Sequence, residues 1–195
     1  NAGVAWADQS RKDILFQVFG PDGRRLFDKP VNISRSPDVF SWLPRLIMTS
    51  GSPEEVFVLW QEIIFSGGTH GGEILFARSS DGGKTFSKPV NLSNTRAGAG
   101  KGRINKDIWF NGSLDMAGSS DNILCAVWTE YEGALRFSRS TNGGKSFSKP
   151  VLVSGGWGES PARGPSLAVD FGGKVHLVWA VGENPAADIH YAVSV

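Results

Sequence analysis

Apolar positions gather into short runs that recur in a fixed order along the chain. Four runs close on tryptophan: Val4-Ala5-Trp6, Val58-Leu59-Trp60, Ala126-Val127-Trp128 and Leu177-Val178-Trp179. Beyond a polar loop each is followed by a second run: Ile14-Leu15-Phe16, Ile74-Leu75-Phe76, Ala134-Leu135-Arg136-Phe137 and Ile189-His190-Tyr191. A glycine turn and a β-branched stretch come next, at 30–34, 89–93 and 150–154. One further apolar stretch precedes each later tryptophan run, at 45–48, 113–116 and 166–169. Short β-rich runs punctuated by Gly, Asn and Asp predict antiparallel strands rather than helices.

With these strands lettered A to D, tryptophan closes B and the glycine turn joins C to D. The turn is itself repeated: Ser79-Ser80-Asp81-Gly82-Gly83-Lys84-Thr85-Phe86 returns as Ser140-Thr141-Asn142-Gly143-Gly144-Lys145-Ser146-Phe147. A fainter copy over residues 20–27 keeps Asp22 and Phe27, so the three phenylalanines stand 59 and 61 residues apart. A four-stranded unit with a period near 60 residues predicts an all-β fold of β-propeller blades. Continuous apolar runs in B and C fit blades that stack face to face and bury both sides. Tandem β-sandwich modules would need about seven strands and ~100 residues per repeat, more than this spacing allows.

The strand count predicts B-C-D, two whole blades, then A-B-C, about three and a half blades in a single partial propeller domain over residues 1–195. The blade segments are approximately 1–34, 44–93, 111–154 and 165–195. A closed ring takes roughly four to eight blades, so either a longer chain or a further copy is expected to complete it.

Composition narrows the partners. A formal net charge of +1, with no Lys/Arg run longer than two, argues against nucleic acid and anionic membranes. No apolar stretch is long enough to insert across a bilayer. Cys125 is the single cysteine, inside the apolar run 123–128, and is expected to be a buried, inert thiol. The three histidines show no metal-ligand spacing, so neither a metal nor another cofactor is expected.

The pattern Ser-x-Asp-x-Gly-x-Thr-Phe at 79–86, and its variant at 140–147, resembles the Asp-box (BNR repeat) of sialidase-like propellers. The resemblance covers the whole chain and implies a propeller, an extracellular or cell-surface location and a site on the face opposite the boxes. Ser79, Asp81, Gly83, Thr85 and Phe86, with Ser140, Asn142, Gly144, Ser146 and Phe147, are read as structural. A short acceptor in a tight turn binds backbone N–H groups, and glycine permits the positive φ. A catalytic acid would not survive the change from Asp81 to Asn142, whereas a turn-fixing acceptor would.

Function is therefore sought in the D-to-A and B-to-C loops. The resemblance implies three arginines on a substrate carboxylate, a Tyr/Glu nucleophile pair and an aspartate acid/base. The guanidinium fork suits a carboxylate because it donates two parallel hydrogen bonds. Arg45, Arg103 and Arg163, each ahead of an A strand, are the ligand-binding candidates; surface arginines on solvated loops are the alternative. Tyr131 with Glu130, and Asp107, are the catalytic candidates, against the plainer reading of an exposed hairpin aromatic and a loop carboxylate. Tyr191, in strand C, is expected in the core. Trp42, Trp109 and Trp157 are off-register and suited to stacking on a sugar, or else to packing the loops. The sequons at Asn32 and Asn91 fall at one repeat position, which favours a structural origin in strand D.

Three functions follow: a non-catalytic module binding a glycan or protein partner, part of an exo-sialidase-type hydrolase, or an element assembling through open blade edges. Strong fold signals beside weak catalytic ones favour them in that order.

Overall fold

The computed structural model describes all residues except 37–38, 67–68, 95–103, 106–107, 110–112, 120–121, 131–132, 157, 183–186 and 195, and only the backbone at 64–66, 69–72, 104–105 and 108–109. The described residues form four antiparallel sheets of three or four strands, a separate two-stranded hairpin and no helix. Blade one is β1 (Ala2–Asp8), β2 (Asp13–Phe19) and β3 (Val31–Asn32). Blade two is β4 (Phe40–Met48), β5 (Val56–Ser66), β6 (Thr69–Ser79) and β7 (Val90–Asn91). A small hairpin, β8 (Ile104–Asn105) and β9 (Ile108–Trp109), precedes blade three. That blade is β10 (Leu114–Gly118), β11 (Leu124–Thr129), β12 (Leu135–Ser140) and β13 (Val151–Ser154). Blade four is β14 (Ala162–Val169), β15 (Val175–Val181) and β16 (Asp188–Val193). Three, four, four and three strands in sequential order are the blades and half-blades that the periodicity predicts.

Successive side chains on a strand point to opposite faces, so each blade has a leading face toward the blade before it and a trailing face toward the next. Trp60, Trp128 and Trp179 all lie on leading faces. Trp60 packs on Ile14, Phe16 and Val18 of blade one. Trp128 packs on Phe57, Leu59, Ile74 and Phe76 of blade two. Trp179 packs on Cys125, Val127 and Leu135 of blade three. The first two are completely buried. The glycine turns seal the same layers. Phe86 meets Phe16 edge-on at 5.4 Å, and Phe147 meets Phe76 at 4.9 Å. Gly83 and Gly144, at φ +86° and +74°, bring the turn backbone against those rings, where an added Cβ would stand 2.1 Å from Phe16 and 2.6 Å from Phe76. Only glycine supplies both the positive φ and the close approach.

The inner strands differ from expectation. β4 and β14 begin five and four residues earlier than the expected 45 and 166, because each continues past a bulge. Trp42-Leu43-Pro44-Arg45 and Arg163-Gly164-Pro165-Ser166 are the two bulges, with φ +52° at Leu43 and +55° at Gly164. Proline, which has no N–H for the ladder, is tolerated there. Trp42 thus lies in a strand rather than a loop. Tyr191 is a second correction: it is 61% exposed, not core. It sits on the trailing face of blade four, against which no described residue packs a further sheet.

Candidate functional site

Antiparallel order places the A-to-B and C-to-D turns at one end of every blade and the B-to-C and D-to-A connections at the other. Hydrogen bonds across neighbouring loops agree, from Gly82 N to Glu54 O at the turn end and from Gly182 N to Pro161 O at the rim end.

At the turn end, the Ser79 hydroxyl donates to Asp81 Oδ1 at 2.7 Å and accepts from Gly83 N at 2.9 Å. Asp81 also accepts from Thr85 N at 2.9 Å and from Thr85 Oγ1. Burial by itself would raise the Asp81 carboxyl, but these donors outweigh it and hold the group at about 2. Asn142 reproduces the network without charge. Ser140 Oγ donates to its Oδ1 at 2.9 Å, Ser146 N donates at 3.0 Å, and its own Nδ2 donates to Ser146 Oγ at 2.8 Å. The side chains of Ser79, Asp81 and Thr85, and of Ser140, Asn142 and Ser146, bond within their own turns. The fainter copy retains one such bond, Arg24 N to Asp22 Oδ1 at 3.1 Å, and its Phe27 rests near Phe16 at 6.5 Å.

The repeated Asn-x-Ser segments are equally internal. Asn32 Nδ2 and Ser34 Oγ donate to Asp13 at 2.7 and 2.8 Å, while Ile14 N donates to Ser34 Oγ. In blade two Ser93 Oγ bonds Glu73 and accepts from Ile74 N. In both blades an acidic residue of strand C and a serine two residues past strand D pin each other.

The rim end carries the remaining candidates. Arg45 stands opposite Leu59 and Asp115 opposite Val127, each one residue before the blade tryptophan, so the two occupy one repeat position on successive inner strands. They form an ion pair at 3.5 Å, with the Arg45 side chain 43% exposed. Asp115 Oδ2 also accepts from Leu167 N at 2.8 Å, linking three blades around the axis. Arg163 is not Arg45's counterpart. It pairs with Ala180, the position at which Trp42 pairs with Gln61, and Ser166 holds the place of Arg45. The expected equivalence of these arginines ahead of their A strands is thereby corrected: both lie within strands, at different repeat positions.

Trp42 stacks at a tilt on Phe40, centroids 5.4 Å apart, both half-buried. Glu130 is held by Arg136, whose Nε donates at 3.1 Å. Glu62 accepts from the Ser36 hydroxyl and, at 3.4 Å, from the Trp60 indole. Tyr131, Asp107, Arg103 and Trp157 lie outside the described residues, and Trp109 contributes only its backbone, in β9.

Two features escaped the sequence reading. Asp115 was detectable by aligning the inner strands on the tryptophans, since it falls at Arg45's position. The second is a chain on blade four in which His176 Nδ1 lies 2.7 Å from Tyr191 Oη and Nε2 lies 3.3 Å from Asp170. No local signal marks it, because residues 170, 176 and 191 come from a turn and two strands. Among the described residues no three His, Cys, Asp or Glu side chains gather as a metal group would.

No family model and no curated protein matches the chain. Solved structures do. A protein of unknown function from Dyadobacter fermentans DSM 18053 aligns at TM-score 0.60 and 14% identity, over 94% of this chain and 55% of that one. An ulvan lyase of polysaccharide lyase family PL25, bound to a GlcA–Rha3S oligosaccharide, aligns at 0.56 and 11%, over 93% and 47%. The NanB sialidase of Streptococcus pneumoniae aligns at 0.55 and 12%, over 94% and 26%. The likeness is one of fold. The chain spans about half the length of the first two and a quarter of the sialidase.

Proposed function

We propose that this chain is a non-catalytic segment of a sialidase-like Asp-box propeller that binds an acidic glycan at its rim end. The observation that carries the reading is the pairing of Phe40 and Trp42 on the inner strand of blade two, where Trp42 opens the strained bulge that leads to Arg45. Backbone strain at a branched residue such as Leu43 is retained where the surroundings enforce it, which often marks a binding site. An indole offers a flat apolar face to a pyranose, and a guanidinium offers paired donors to its carboxylate. Similarity in fold to a polysaccharide lyase and a sialidase supports carbohydrate as the ligand class. An extracellular placement follows from the same reading.

Titration calorimetry with sialyllactose and with a glucuronate-containing oligosaccharide tests it. Trp42→Ala is expected to weaken binding about tenfold, the value of one aromatic contact. Its far-UV spectrum should stay unchanged, and no sialoside should be turned over. Sialoside turnover by the wild-type chain that disappears in Glu130→Gln would replace this reading with the hydrolase. Unaltered binding in Trp42→Ala would remove the rim site.

A further inference from the structure

Each layer between blades buries a tryptophan whose indole N–H must find an acceptor. In the layer between blades one and two the acceptor comes from the tryptophan's own strand: Trp60 Nε1 donates to Glu62 Oε1 at 3.4 Å. The residue that blade one sets beside this layer is Ala7, opposite Ile14, and its side chain brings no polar group. In the next layer the position of Glu62 is taken by Glu130, two residues after Trp128. Its carboxylate is held instead by Arg136, which stands opposite Trp128 where Leu75 stands opposite Trp60. In the layer between blades three and four the position is Val181, whose side chain accepts nothing. Trp128 Nε1 and Trp179 Nε1 are accordingly buried without a hydrogen-bond partner among the described residues.

In both of those layers the preceding blade supplies a polar side chain. The residue that follows the blade tryptophan is Ala7 in blade one but Gln61 in blade two and Thr129 in blade three. Gln61 lies opposite Ile74, which packs with Trp128, and Thr129 lies opposite Leu135, which packs with Trp179. Residues directly opposite on paired strands share a face, so each polar side chain enters the layer of an unpaired indole. Gln61 is 2% and Thr129 6% exposed, and Gln61 Oε1 and Thr129 Oγ1 are themselves buried without a partner among the described residues. Each layer thus encloses a donor and an acceptor that do not meet. Leaving buried polar groups unpaired is costly, and a molecule that both accepts and donates pairs the two at once. We infer that each of these two layers binds one water molecule, which accepts from the indole N–H and donates to Gln61 Oε1 or Thr129 Oγ1. A buried water holds roughly two to four such partners. Trp60, already bonded to Glu62, needs none.

A high-resolution crystal structure and a set of variants test this. Density is expected for one water within hydrogen-bond distance of both Trp128 Nε1 and Gln61, for another on both Trp179 Nε1 and Thr129, and for none on Trp60 Nε1. A direct bond from either indole to its polar neighbour, or a layer without a water, overturns that site. Gln61→Leu and Thr129→Val keep the volume and remove the acceptor, and each should lower Tm by about 2–8 °C. Arg136→Leu recreates the surroundings of Trp60 and frees Glu130 for the indole of Trp128. In that background Gln61→Leu should cost far less than in the wild type, because the indole no longer depends on Gln61. An unchanged Tm in Gln61→Leu overturns the inference, since the enclosed pair then carries no energy. An equal loss in both backgrounds also overturns it, because Gln61 would then act without reference to Trp128. Where Arg136→Leu fails to fold, Thr129→Val and the crystal density decide: a Tm equal to wild type, or no density beside Trp179 Nε1, refutes the water.

Discussion

Replacing Asp81 by asparagine separates the charge of the glycine turn from its geometry. The exchange is chemically mild, because Asn142 already makes the corresponding bonds in blade three. What disappears is the ionised form, whose folded-state carboxyl sits at about 2 against an ordinary 3.8. That displacement corresponds to roughly 2 kcal/mol if undiminished. Water reaches this half-buried turn, and screening reduces the figure to about 1 kcal/mol. For a chain of this length such a loss lowers Tm by about 2–4 °C. The sign follows from linkage: a lowered carboxyl stabilises fully above 3.8 and loses its contribution as pH falls toward 2. Thermal unfolding of wild type and Asp81→Asn at a series of pH values should therefore show a gap at pH 7 that narrows below pH 4 and closes near pH 2. A gap that persists undiminished into acid would refute the charge argument. A loss several times larger at neutral pH would mean that asparagine cannot rebuild the turn at position 81.

Three other outcomes are expected. Gly83→Ala should be severe, since its Cβ would fall 2.1 Å from Phe16 at a left-handed φ, whereas Gly82→Ala, at φ +74° with open space around it, should cost only about 1–2 kcal/mol in urea unfolding. Phe76→Ala, which empties a ring buried between Phe57 and Phe147, should cost about 3–5 kcal/mol; a loss below 1 kcal/mol would contradict its place in the inter-blade core. Burial pushes the Cys125 thiol up to about 11, so Ellman's reagent at pH 8 should label it only on unfolding, and rapid labelling of the native chain would disprove its burial.

The blades were readable because their periodicity repeats the same packing demand. A tryptophan at Trp60, Trp128 and Trp179 fills the same gap each time, and the turns at 79–86 and 140–147 must be glycine-rich to approach the preceding phenylalanine. Where a rule depends on the neighbour, local pattern fails. Tyr191 has the spacing of a core residue, yet among the described residues no sheet packs on its face. The inner strands were expected from 45 and 166, but a bulge at Pro44 and another at Pro165 carry β4 and β14 further toward the rim. The rim was least readable. Its candidates at 103, 107 and 109 come from a long connection without periodicity, and the Arg45–Asp115 pair exists only because two inner strands lie side by side.

The paired bulges of β4 and β14 have an evolutionary consequence. Past the bulge, each strand is locked in phase with the tryptophan layers, and a change of side chain there disturbs two blades. Ahead of it, the strand is released from that phase, and the same position is Trp42 in one blade and Arg163 in another. An inner strand thus divides, within a few residues, into a stem tied to the layers and a tip that is not. Selection can rewrite the chemistry at the mouth of the propeller one tip at a time while the stacked sheets below remain untouched.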